Sequence, residues 1–173
     1  MSAPGPAGGG PAARVRERAS GSSASVVRPS AEHRAAWDAL YAGYADFYRK
    51  AQTQEMRDRV WGWILDPASE VECLLALDAG GKPVGLAHFR EFARPLDASK
   101  GGYLDDLFVA PAARGSGAAQ ALFGALRDEA RHRGWTVVRW ITADDNYRAR
   151  AVYDRVATRT PWLTYDLAPR SDG

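Results

Sequence analysis

Between Tyr103 and Arg133 the chain reads YLDDLFVAPAARGSGAAQALFGALRDEARHR, an order of residues that leaves few folds open. An apolar, aromatic run suited to a strand is stopped by Pro111, passes through a turn holding Gly115 and Gly117, and opens into a helix. Ala119, Leu122, Phe123, Leu126 and Ala130 share one face of that helix, while Gln120, Arg127, Asp128 and Arg131 share the other. Gly134 is placed to end it. Two glycines at i and i+2 let the backbone turn sharply and leave amide N–H groups uncovered, and the first helical turn adds its own unpaired donors. Such a place binds an anion, most often a phosphate.

The flanking sequence supplies the rest of the fold. Residues 1–25 hold 13 Gly, Pro or Ser and almost no bulky apolar residue, so they are expected to form a disordered leader. A single domain is expected over 26–170. Val26-Val27 suit a short strand closed by Pro29, and Ser30 suits the N-cap of a following helix. Trp37, Leu40, Tyr41, Tyr44 and Phe47 form a helical stripe despite Gly43. It reads as core, with the alternative that one or two of its rings line an acceptor pocket. VECLLALD and PVGLAHFREF read as a hairpin turned at Gly80-Gly81, followed by a polar loop from Arg94 to Lys100. Trp135–Thr142 reads as a strand that a right-handed crossover sets parallel to Tyr103–Val109. Asp144-Asp145-Asn146 cap a helix to about Val156, and Trp162–Leu167 reads as a last strand. The expected architecture is α/β: a mixed, mostly antiparallel sheet with helices on both faces and one parallel pair at its centre.

Composition removes several function classes. The formal charge of +2 resides in residues 1–25, which leaves 20 bases and 20 acids over 26–173. A neutral body lacks the basic footprint of a nucleic-acid binder. No run approaches the roughly 20 apolar residues of a membrane span. No apolar signal-peptide core stands at the N-terminus, so a cytoplasmic location is expected. The single cysteine, Cys73, lies in an apolar run and reads as a buried strand residue, which argues against a Cys-based metal site; no metal is expected.

The phosphate site does not match the common nucleotide motifs. Gln120 stands where a GxGxxG fingerprint needs its third glycine, and Ala118-Ala119 stand where a Walker A loop needs Lys and Ser or Thr. Arg114-Gly115-Ser116-Gly117-Ala118-Ala119 instead resembles the acyl-CoA signature of the GNAT N-acetyltransferase superfamily, Arg/Gln-x-x-Gly-x-Gly/Ala. LDDLFVAP resembles that family's fourth strand, and NYRARAVYDRV resembles its block with Asn followed seven residues later by Tyr. The likeness covers roughly residues 26–167. Ala157-Thr158 depart from the Gly-Phe pair usual there, in a segment that borders the acceptor pocket or a dimer contact, so the acceptor does not carry over from the family.

The resemblance implies a GNAT-like fold whose parallel strands splay apart and an acetyl-CoA co-substrate. The pyrophosphate would lie on the amides of Gly115, Ser116, Gly117, Ala118 and Ala119 beside Arg114, and the pantetheine arm would pair with Phe108 and Val109. Asn146 would bond that arm, and Tyr153 would be the acid for the departing thiolate. Thiol and phenol have reference pKa values of about 8.5 and 10, so a Tyr O–H can protonate the sulfur without being ionised at neutral pH. The attacking amine must lose a proton. Asp105 and Asp106 are candidates, read as lying on opposite faces of one strand, and His88 and Glu91 are further ones. LDDLFV resembles the spermidine/spermine branch, in which an acid at the position of Asp105 serves as base or polyamine contact. The implied function is acetyl transfer from acetyl-CoA directly to a primary amine of a small molecule such as a polyamine or amino acid. The alternatives are a catalytically silent acyl-CoA sensor and a protein or histone acetyltransferase. Many members of the family form homodimers, and the aromatic surface here permits one.

Overall fold

A computed structural model of the chain describes residues 24–169. The leader expected over 1–25 therefore lies outside the described residues except for Ala24 and Ser25, and Ser25 already opens the first strand. Five strands form one sheet in chain order: β1 (Ser25–Val27), β2 (Glu72–Leu77), β3 (Pro83–Arg94), β4 (Ser99–Val109) and β5 (Val138–Arg139). The first four are antiparallel, and β4 and β5 are parallel. Helices α1 (Arg34–Phe47) and α2 (Gln54–Leu65) cover one face. Helices α3 (Ala118–Arg133) and α4 (Tyr147–Val156) cover the other. No helix among the described residues is long and apolar enough to cross a membrane.

Local chemistry explains the elements. Asp78 closes the β2–β3 hairpin, its Oδ1 accepting from the amides of Gly80 and Lys82 at 2.9 Å each. Of the two glycines there, only Gly81 takes a positive φ, 79°. The polar segment after β3 is a single 3-10 turn, Pro95–Asp97, so β3 and β4 pair on to Arg94↔Ser99 rather than ending at a loop from Arg94 to Lys100. Trp37 and Leu40 bury the α1 stripe against Cys73, Leu75, Leu86 and Phe108, while Phe47 at its end is exposed. Gly43 interrupts that stripe because a Cβ there would stand 3.3 Å from the Phe108 ring. Helix α3 buries Ala118, Leu122, Phe123 and Leu126 and ends at Gly134 with φ 68°. Arg133 fixes that end to the sheet by donating to both Glu72 oxygens at 2.6 Å.

Two expected strands differ. Trp135–Thr142 contributes only Val138 and Arg139 to the ladder, opposite Gly102 and Tyr103. Trp162–Leu167 forms no strand: Trp162, Leu163, Tyr165 and Leu167 are all at least 77% exposed. Its alternating, aromatic composition suits a strand, but strand preference is realised only against a partner edge. The parallel pair consequently stands at the end of the sheet instead of its centre.

The contact that joins β4 to β5 is tight. Trp135 is buried against Gly102, its indole N–H donates to Glu91 at 2.7 Å, and a Cβ on Gly102 would overlap its ring. Gly102→Ala is expected to lower unfolding free energy by about 1–3 kcal/mol through overpacking. Gly62→Ala, in exposed α2 with open space around the added carbon, is expected to be neutral or to stabilise by up to ~1 kcal/mol. Chemical denaturation of both variants checks this, and equal effects would contradict the packing described.

Candidate active site

Beyond Tyr103 and Arg139 the two parallel strands part. A cavity of about 400 Å³ opens where they separate, bounded by the second half of β4, the turn before α3, and α4. The backbone of β4 alternates, so the Ala110 N–H that bonds Val84 O at 2.9 Å sets the parity. Phe108 faces β3 in the same way, and Leu107 and Val109 turn their N–H and C=O toward the gap. The expected pair therefore divides its work: Val109 offers free backbone, while Phe108 offers a buried ring packed on Tyr44 at 5.9 Å.

The turn has the properties its glycines predict. Gly115 and Gly117 hold φ at 85° and 90°, where a side chain would be strained. Gly117 is the N-cap of α3 and brings no capping side chain. Among the described residues, the amides of Gly115, Gly117, Ala118, Ala119 and Gln120 donate to no protein acceptor. Ser116 differs, because its N–H already bonds Ala113 O at 3.2 Å and it does not line the cavity. Five amides converging on a helix N-terminus suit a phosphate. Arg114 stands at the cavity over the Phe47 ring at 5.8 Å. Arg148 and Arg155 join it there, and none of the three makes an ion pair among the described residues. The donor set and the positive charge both fit a CoA pyrophosphate.

Helix α4 carries the opposite wall. Asn146 lines the cavity and is also the N-cap, its Oδ1 accepting from the Ala149 amide at 3.3 Å. Tyr153 lies about two turns further along the same face of the helix. Its ring packs edge-on against Phe123 and Trp140, and its hydroxyl makes no hydrogen bond among the described residues. Burial, with a smaller contribution from Tyr48, pushes the phenol up to about 12.

The two aspartates are not on opposite faces. His88 pairs with Asp106 while Phe89 pairs with Leu104, so Asp105 is the extra residue of a β-bulge. The bulge resets the alternation and turns both carboxylates to the face covered by α1. Asp106 sits against His88, its Oδ2 2.9 Å from Nδ1. His88 Nε2 is 2.8 Å from the Trp37 indole nitrogen. An indole N–H only donates, so Nε2 accepts, and the imidazole proton is on Nδ1, donating to Asp106. The Tyr41 and Tyr44 phenols also face Asp106 and are pushed up, by burial first and by that carboxylate second. Asp105 lies outside this chain of bonds, with Arg90 Nε as its neighbour at 3.3 Å. Burial pushes the Asp105 carboxyl above its ordinary range, against the pull of Arg90. Neither aspartate lines the cavity, whose lining on β4 begins at Leu107, roughly 7 Å along the strand from Asp105. Glu91 is on the other face, engaged with Trp135 and Lys100. Among the described residues no group of His, Cys, Asp or Glu is placed to hold a metal ion.

Residues 37–157 match the Acetyltransferase (GNAT) family. The chain belongs to the GNAT family. It is therefore an acetyl-CoA-dependent N-acetyltransferase in class. It is 28% identical over 141 residues to D-amino-acid N-acetyltransferase HPA3 of Saccharomyces cerevisiae, covering 81% of this chain and 86% of that relative. The crystal structure of ribosomal-protein-alanine N-acetyltransferase from Brucella melitensis biovar Abortus 2308 matches with a TM-score of 0.71 at 22% identity, covering 84% of this chain and 99% of that one. Aminoglycoside N-acetyltransferase AAC(6')-Iy in complex with CoA matches at 0.73 with 18% identity, covering 87% and 97%. These two share the GNAT fold with the present chain. The yeast relative carries an amino acid in its name and not a polyamine, so what is shown is the GNAT family and not its polyamine branch.

Several residues that line the cavity have no assignment from the sequence. Arg148, Val152 and Arg155 line the cavity at i, i+4 and i+7 of α4, a stripe beside Asn146–Tyr153 that its spacing could have disclosed. Tyr44 and Phe47 of the expected α1 stripe, and Tyr48 just after α1, line the cavity too. The Trp37–His88 bond joins residues 51 apart and has no local sequence signal. The bond pattern predicts that nitrogen-15 NMR finds the His88 proton on Nδ1; a proton on Nε2 alone would contradict it.

Proposed function

We propose that this enzyme transfers the acetyl group within one ternary complex to the primary amine of a small molecule, with Tyr153 as general acid and Asp105 as the proton acceptor. Tyr153 carries the reading: a cavity-lining phenol, without a hydrogen-bond partner among the described residues and kept protonated by burial, which suits it to give a proton to a departing thiolate. Acetyl-CoA supplies the thioester that the amine attacks. The amides of Gly115 and of residues 117–120, with the neighbouring guanidiniums, hold its phosphates, and the open edge of β4 orients the arm. Asp105 suits the base role because burial pushes its carboxyl up and its ionic contact among the described residues, with Arg90, is long. Asp106, by contrast, is committed to His88. Cys73 supports transfer without an enzyme thioester, since it is buried and burial pushes its thiol up. The yeast relative's name makes amino acids, D-enantiomers included, the first acceptors to test.

Tyr153→Phe is expected to lower kcat by about tenfold or more, in the range of general acid catalysis. An unchanged rate, with chemistry shown to be rate-limiting, removes Tyr153 from the mechanism. A base works only when deprotonated, so wild-type kcat/KM should fall as pH drops through the Asp105 ionisation. That acid limb should lie above the usual carboxylate value of about 4, and Asp105→Asn should abolish it. A limb that survives in the variant belongs to another group.

A further inference from the structure

We infer that Arg90 is a carboxylate-binding residue and that the acceptor is a zwitterion, an α-amino acid, held by its carboxylate on Arg90 with its amine turned to Asp105. The inference rests on the acetyl-transfer reading above and adds the class of acceptor.

The bulge in β4 places Asp105 and Asp106 on the same face as His88 and Arg90. Arg90 spends only Nε, at 3.3 Å, on Asp105. Its two terminal nitrogens donate to no acceptor among the described residues. They form the fork that meets a carboxylate bidentately. The group is also oriented, because the guanidinium lies over the Tyr103 ring at 5.0 Å, and that ring packs edge-on against Phe92. The side chain is 37% exposed, so a ligand can reach it without displacing core.

Charge on this face decides between acceptor classes. Arg139 is a second guanidinium there, stacked on Phe92 at 5.8 Å and free of ion pairs among the described residues. A polyamine brings cations alone and would face two guanidiniums beside Asp105, since the second carboxylate of this face, Asp106, is already bonded to His88. An α-amino acid brings both signs across one carbon, which matches an Arg90 fork whose Nε already adjoins Asp105.

The test compares an α-amino acid, as both enantiomers, with the amine that has the same side chain and no carboxylate. Wild-type enzyme should favour the amino acid in kcat/KM by about tenfold or more, the scale of a charge-assisted bond. Arg90→Gln should bring that ratio close to one, chiefly by raising KM for the amino acid, and Arg90→Lys should restore part of it. Calorimetry of the same ligands with CoA-loaded protein reads the subsite without turnover, and thermal melting confirms the variants are folded. A ratio or an amino-acid affinity unchanged in Arg90→Gln overturns the inference, as does a wild-type preference for the carboxylate-free amine. Arg90-dependent binding with no acetylation of any amine upholds the subsite and overturns the transfer reading instead.

Discussion

Strand β4 is paired along its whole length with β3 but touches β5 at only two positions, Gly102 and Tyr103. A strand in the middle of a fold that leaves one edge unpaired carries amides and carbonyls that need another partner. Here two tryptophans enforce that state. Trp135 packs on Gly102 and holds the strands together at their start. Trp140, five residues on, packs against Phe123 and Tyr153 on the α3 side and draws the chain away from β4. The gap between them is the cavity, and the free edge of β4 is its floor.

The same strand links the two halves of the reaction. Its last residues lead through Pro111 into the glycine turn, where the amides of Gly115 and Gly117 have no protein partner among the described residues and the helix lacks a capping side chain. Its middle contains the bulge at Asp105. One additional residue there brings two carboxylates to the face under α1 and, past it, points Leu107 and Val109 at the gap. An unbulged β4 would have sent one aspartate into the apolar side of the sheet and reversed which residues offer their backbone to the cavity. The bonds from Trp37 to His88 to Asp106 hold this region from behind, using a histidine that is 2% exposed. A buried polar chain satisfied at every link rigidifies its surroundings, which is what positioning a reactive amine requires.

What could be read from the sequence was what local chemistry decides. The positive-φ glycines before α3, the α3 amphipathic face and the Asn146 cap are each specified within a few residues, and so is the anion site that the glycines and α3 build. The signature around Arg114–Ala119 and the Asn146–Tyr153 spacing likewise identified the family. What escaped depends on contacts between distant segments. Nothing in LDDLFV marks Asp105 as the extra residue, because a bulge is defined by the partner strand. WLTYDL has the composition of a strand and pairs with no edge of the sheet. Arg90 reads as one charged residue in a β-run until Asp105 and Tyr103 are seen beside it.

The central claim is that the parted edge of β4 and the turn before α3 together receive acetyl-CoA through backbone amides. Amide hydrogen exchange of the protein with and without acetyl-CoA tests it directly. The account predicts slowed exchange at Leu107 and Val109 and at Gly115 and residues 117–120, with little change on β1 and α2. Saturating acetyl-CoA that binds while these amides exchange as before, or that protects a different surface, would contradict it.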